Sequence, residues 1–179
     1  LTQSSQNLKT TKARVAFLAE VSKVANKYAA RKMFDTGVAA YVKDDFQKSV
    51  DLFSRAIQYD PSLALFYVCR GAASLKLEKV SEALDDFNQA IDLDPLYARA
   101  YHLRGLAYEK LGEFARAFRD FDRSLEIDPE YAAAYPCRES VLSNPKHSDP
   151  SCEDFEMVNH LMAMRLTDFD QKVPSDLAI

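Results

Sequence analysis

Glycine is scarce in this chain: four residues among 179, roughly a third of the usual share of about 7%. Sheet proteins use glycine at their tight hairpin turns, so the scarcity argues for helices. It also leaves no glycine-rich loop to cradle a phosphate, which excludes the common nucleotide-binding motifs. Tryptophan is absent, and no run of eighteen or more apolar residues occurs, so no segment is apolar enough to span a membrane as a helix. An excess of positive charge is missing as well. The formal net charge of -4 and a pI near 5.4 provide no broad positive field, which argues against a nucleic-acid partner. The N-terminus lacks the basic start, apolar core and small-residue cleavage site of a signal peptide, and a cytoplasmic location is expected. The chain starts at Leu1 rather than methionine, as a piece or a processed form of a longer protein would. Cys69, Cys137 and Cys152 are odd in number and lack metal-ligand or redox-pair spacing, so free thiols in a reducing compartment are expected. A Cys137–Cys152 bridge is the alternative, because the register described below puts both on facing helices.

What is present is the composition of a soluble globular domain, 47% hydrophobic and 28% charged, arranged in a repeat. Gly37, Gly71 and Gly105 are spaced by 34 residues, and so are Pro61, Pro95 and Pro129. Between them three more columns recur: Ser49, Ala83 and Ala117; Phe53, Phe87 and Phe121; Ala56, Ala90 and Ser124. Within Leu65–Leu77 and Val80–Leu93 apolar residues return every three or four positions, the period of an amphipathic helix. Asp60, Asp94 and Asp128 each precede a proline, which pushes them out of helical geometry and ends the second helix of each unit. The small residues then mark where two antiparallel helices approach closely, with the phenylalanine filling the space beside them.

This pattern resembles the tetratricopeptide repeat. The clearest copy carries Tyr101, Gly105, Tyr108, Ala117, Phe121 and Pro129; the one before it Tyr67, Gly71, Ala83, Phe87 and Pro95; the first Met33, Gly37, Ser49, Phe53 and Pro61. Ala40 and Ser74 depart from the pattern where a tyrosine is usual, which loosens local packing. The resemblance implies an all-α fold, a right-handed superhelical α-solenoid of antiparallel helix hairpins, with repeats at 30–63, 64–97 and 98–131. Keeping the register beyond Pro129 sets Tyr135 in the aromatic column, Phe155 in the phenylalanine column and Val158 in the small column, while Glu139 replaces the glycine. The Asn144–Pro150 loop replaces the tight turn, and Asp149 with Pro150 reads as a cap and first turn opening a helix. Residues 132–168 thus read as a degenerate fourth repeat or capping pair, and 169–179 as a tail.

Two further patterns accompany the repeat. Arg70 and Arg104 stand directly before the repeat glycines, and sixteen residues after each lie Asp86 and Asp120; the same interval links Arg138 to Asp154. In the first unit both positions change together, to Thr36 and Leu52. The expectation is an ion pair joining the two helices of each hairpin. Ahead of the repeats, residues 1–29 hold a tail and an amphipathic helix from Lys12 to Tyr28, with Val15, Leu18, Val21, Val24, Ala25 and Tyr28 as its apolar stripe. That helix is expected to cover the first hairpin; lying in a groove, or linking to a further domain, are the alternatives.

Catalytic chemistry finds no support in the sequence. His102, His147 and His160 lack a second ligand at helical spacing, no serine stands in a nucleophile elbow, and the paired carboxylates read as solvated helix faces. No enzymatic activity, metal or cofactor is expected. A solenoid of helical hairpins presents a concave surface, and the family implies that a peptide or a partner's helix binds there. The matching groove columns are Arg31, Phe34, Val38, Tyr41 and Val42; Leu65, Val68, Ala72, Leu75 and Lys76; and Arg99, His102, Leu106, Glu109 and Lys110. This lining is apolar toward the N-terminus and basic to mixed toward the C-terminus, which suits a protein or peptide with apolar anchors and some acidic character. Phe34, Val38 and Leu65 could instead pack beneath the N-terminal helix. The family's clamp for a C-terminal carboxylate would need basic or amide side chains at Phe34, Val38, Cys69, Arg99 and Leu103, and only Arg99 fits. Binding of chaperone tails is therefore not expected. The alternatives to a binding scaffold are a self-assembling structural module, or an accessory domain of a larger protein.

Overall fold

The computed structural model describes the backbone of residues 2–143 and the side chains of 12–141. Those residues form seven α-helices and no strand: α1 Thr2–Tyr41, α2 Phe46–Tyr59, α3 Ala64–Lys76, α4 Val80–Leu93, α5 Ala98–Lys110, α6 Phe114–Ile127 and α7 Ala134–Ser143. Each odd-numbered helix packs on the even one that follows, each even one on the next odd one, and α3, α5 and α7 touch in succession. Stacked antiparallel hairpins of this kind are an α-solenoid.

The repeated columns explain the stacking. Ser49, Ala83 and Ala117, the three phenylalanines, and Ala56, Ala90 and Ser124 are all fully buried. A Cβ built on Gly37, Gly71 or Gly105 would lie 2.8, 2.7 or 2.5 Å from the phenylalanine ring of its own hairpin. The helices therefore approach as closely as a backbone without side chain permits. Where serine replaces alanine at position 49, its hydroxyl donates to the Gly37 carbonyl at 3.0 Å, so the buried polar atom is satisfied.

Helix ends follow the chemistry of Asp-Pro. Asp60, Asp94 and Asp128 are the C-caps of α2, α4 and α6, in extended conformation with φ between -144 and -132°. Their carboxylates then accept from the backbone N–H two residues on, at Ser62, Leu96 and Glu130, folding the chain toward the next hairpin. Within each hairpin the turn uses one left-handed residue, Asp44 (φ 58°), Glu78 (φ 58°) or Gly112 (φ 73°). Only the third copy fills that position with the residue type that adopts it without strain.

The N-terminal segment differs from the expectation. Lys12–Tyr28 is not a separate helix covering the first hairpin: it runs without a break into the first helix of that hairpin, as part of the 40-residue α1. Every residue from Lys12 to Tyr28 is exposed, and burial begins at Ala30. With no glycine or proline before Gly37, nothing in the sequence turns the helix back on itself. The expected fourth unit is seen only through α7; Asn144–Pro150, Asp154, Phe155, Val158 and the tail lie outside the described residues. Free thiols hold for Cys69, which is buried, but not for Cys137, which is in a disulfide. Cys152 lies outside the described residues.

Candidate functional site

The arginines before the repeat glycines make a ladder. Arg70 donates from Nε and Nη2 to the Asp86 carboxylate at 2.6 to 3.2 Å, and Arg104 grips Asp120 from the same two nitrogens at 2.7 and 2.8 Å. Two-nitrogen contacts of this kind fix orientation as well as charge. Sixteen residues in the other direction lies a second partner that sequence reasoning missed. Arg70 Nη1 donates to Ser54 at 3.2 Å, Arg104 Nη1 to Asn88 at 2.8 Å, and Arg138 Nη1 to Asp122 at 3.3 Å. Each arginine thus ties its own hairpin to the preceding one. For Arg138 only the backward contact is described, since Asp154 lies outside the described residues. The signal that could have found it is the same 34-residue register read backward: Ser54, Asn88 and Asp122 are one column, all polar.

Each arginine also lies over a tyrosine three residues earlier, Tyr67, Tyr101 or Tyr135, with 5.4 to 5.8 Å from guanidinium carbon to ring centre. The tyrosine hydroxyl donates to the carbonyl of the proline six residues before it, Pro61, Pro95 or Pro129. Tyr135 on α7 does this as the others do, so the aromatic column continues past Pro129. Burial pushes the Asp86 carboxyl up in pKa against the pull of the Arg70 hydrogen bond, and that bond in turn pushes Arg70 up.

The concave face is less open than the sequence suggests. Of the fifteen groove positions, ten are buried: Phe34, Val38, Tyr41, Val68, Ala72, Leu75, Arg99, His102, Leu106 and Glu109. Phe34 stacks in the core, 5.2 Å from the Phe66 ring and 5.6 Å from Phe53, rather than lining free space or lying beneath an N-terminal helix. Arg31, Leu65 and Lys76 are half-buried and Lys110 is exposed, as is Val42; Glu109 is buried. Arg99 is only 5% exposed, so the expected surface arginine is a wall residue.

His102 is likewise internal. Its Nδ1 accepts from the Tyr131 hydroxyl at 3.3 Å, its Nε2 lies 3.5 Å from Cys137 Sγ, and its ring packs edge-on against Tyr131 and tilted on Phe121. Burial first, and the Arg99 charge second, push its pKa down to about 3. A neutral imidazole donating from Nε2 and accepting at Nδ1 satisfies both ring nitrogens. Burial also pushes the Cys69 thiol up to about 12, so it is not a nucleophile.

One cleft opens on the concave side between α1, α3 and α5. Its lining is Tyr41, Ala72, Leu75, Lys76, Leu103, Leu106 and Lys110. Six of these are among the expected groove residues, and Leu103 is the addition. Lys110 reaches back to Glu78 at 3.7 Å. The cleft therefore has an apolar floor with two ammonium groups at its edge. Among the described residues no cluster of three or more His, Cys, Asp or Glu side chains could hold a metal, and no helix is long and apolar enough to cross a membrane.

A family model described as TPR repeat matches residues 74–112, and one described as tetratricopeptide repeat matches 98–131. Among solved structures, the chain is similar to the Arabidopsis OM64 TPR domain, with 30% identity and a TM-score of 0.65 over 66% of this chain and 98% of that domain. It is similar to the second TPR domain of human RPAP3 in complex with the HSP70 peptide SGPTIEEVD, with 28% identity and a TM-score of 0.59 over 70% of this chain and 99% of the other. It is also similar to the TPR2B domain of yeast Sti1 in complex with pHsp70, with 28% identity and a TM-score of 0.58 over 66% and 94%. No curated protein matches the sequence. The glycine–phenylalanine contacts, the Asp-Pro stops and these likenesses agree: the chain belongs to the tetratricopeptide-repeat family.

Proposed function

We propose that the chain is a non-catalytic protein-interaction scaffold, with repeats at 30–63, 64–97 and 98–131, that takes an extended peptide or a partner's helix in the cleft between α1, α3 and α5. The observation that carries this reading is the pairing in that cleft of an apolar floor, Tyr41, Ala72, Leu75, Leu103 and Leu106, with Lys76 and Lys110 at its edge. Apolar anchors gain from burial against the floor, and acidic side chains from charge-assisted bonds to the ammonium groups. The RPAP3 and Sti1 domains were each solved with a chaperone peptide or partner, and the RPAP3 peptide is acidic. The ligand class differs here in one respect. Four of the five positions where the family clamps a terminal carboxylate hold Phe34, Val38, Cys69 and Leu103, which cannot bind it, and the fifth, Arg99, is buried. Recognition therefore rests on internal acidic and apolar side chains of the ligand.

Peptides selected by display against the folded chain and measured by fluorescence anisotropy test this. Lys76→Glu with Lys110→Glu should weaken the selected peptide about tenfold or more with helicity unchanged, while SGPTIEEVD should bind far more weakly than the selected peptide. Equal affinity for wild type and double variant would remove the cleft from the reading.

A further inference from the structure

Residues 12–28 of α1 stand clear of the hairpins as a single helix, with Phe17 68%, Val21 50%, Val24 55% and Tyr28 74% exposed. An isolated helix in water does not gain from large apolar side chains. These four recur at intervals of 4, 3 and 4 residues. At 100° per residue they fall within about 60° of the helix circumference, as the a and d positions of a coiled coil do; exposed Leu18 (64%) flanks this seam at an e position, and exposed Val15 (61%) lies off it at b. Val21 and Tyr28 take the a positions, Phe17 and Val24 the d positions, and Glu20 and Lys27 both fall at g.

We propose that the occupant of this seam is a second copy of the chain, its α1 running antiparallel to the first. In that orientation an a residue meets a d residue across the seam, so Val21 packs on Val24 of the second copy and Phe17 on its Tyr28, each contact occurring twice by symmetry. Positions g then face g. The register that joins Val21 to Val24 brings Glu20 opposite Lys27 of the second copy, and Lys27 opposite its Glu20. A parallel pair would set g against e, joining Glu20 to the neutral Ala25 and Lys27 to Lys32, one neutral and one repulsive contact. The charges thus select the antiparallel arrangement, which carries the two hairpin stacks outward at opposite ends of the paired helices. The proposal does not depend on what the cleft binds.

Sedimentation velocity of the full chain over a rising concentration series tests it, with a limiting mass of twice 20.2 kDa expected. Phe17→Glu with Val24→Glu should hold the chain at the monomer mass throughout, and its thermal unfolding should match that of wild type measured at concentrations too low for dimerisation, because neither residue is buried against the hairpins. Glu20→Lys alone and Lys27→Glu alone should each weaken dimerisation about tenfold. The double exchange, and an equimolar mixture of the two single variants, should restore it, because each re-creates opposite charges across the antiparallel seam. A wild type that stays monomeric overturns the proposal, as does a dimer that survives Phe17→Glu with Val24→Glu. Failure of the double exchange to restore affinity refutes the register. Co-sedimentation of a monomeric wild type with phosphatidylserine vesicles, abolished by the same apolar substitutions, would assign the seam to a membrane surface instead.

Discussion

Gly105→Ala sets two opposed effects against each other at one atom. A mid-helix alanine is favoured over glycine by about 1 kcal/mol from backbone entropy. The new Cβ would sit 2.5 Å from Phe121 Cε1, 2.8 Å from Cδ1 and 3.1 Å from Cζ, inside the closest approach of real side chains. The ring cannot withdraw cheaply: Phe121 is fully buried and packs on His102 at 5.7 Å between centres, and His102 is held by Tyr131. Overpacking a filled core costs about 1 to 3 kcal/mol, so the clash outweighs the propensity gain and the net loss is about 1 to 2 kcal/mol. For a chain of this size that is a fall in Tm of roughly 2 to 8 °C. Thermal and urea unfolding followed by circular dichroism measure it. The decisive comparison adds Phe121→Leu. In that background the space exists, so Gly105→Ala should cost less than in wild type, a coupling of about 1 kcal/mol. A rise in Tm for Gly105→Ala in the wild-type background, or additive losses in the double variant, would show that the close approach of α5 and α6 is not what the glycine serves.

Two other outcomes follow from the same packing. Among the described residues the fully buried Ser124 hydroxyl finds no partner, in a column where the two earlier copies have alanine, so Ser124→Ala should raise stability by about 1 kcal/mol in urea unfolding. For His102, a folded pKa of about 3 against an ordinary 6.5 means that the unfolded chain binds the extra proton between those values. Stability is then full above pH 6.5 and falls by about 1.4 kcal/mol per pH unit below it, until the folded imidazole also titrates near pH 3. His102→Gln should remove that part of the acid slope, and parallel pH profiles for wild type and variant would contradict the assignment.

Most of the hairpin architecture was legible because repetition multiplies weak signals. One glycine or one proline decides little, but Gly37, Gly71 and Gly105 in phase with Pro61, Pro95 and Pro129 mark close contacts and stops wherever the period falls. Asp-Pro ends a helix by local sterics, and the small and aromatic columns face each other because each hairpin has one geometry. The pairing of Arg70 with Asp86 was readable for the same reason, since both members share the period. Its second partner, Ser54, needed the arrangement of neighbouring hairpins, which local periodicity does not express.

The cleft was less legible. Position in the repeat identifies the concave side of a helix but not how much of it is covered, so Arg99 and His102 read as surface contacts and prove to be buried. The N-terminal helix was visible as a helix, yet its apolar stripe suggested a cover for the first hairpin. An amphipathic stripe states that something packs there without saying what. Sequence alone determined the repeat, its period and the residues at which helices touch, because those are set by local geometry repeated in register. Only the tertiary structure decided that α1 runs straight out from the stack and that most groove columns form wall rather than open surface, because both depend on where neighbouring helices end.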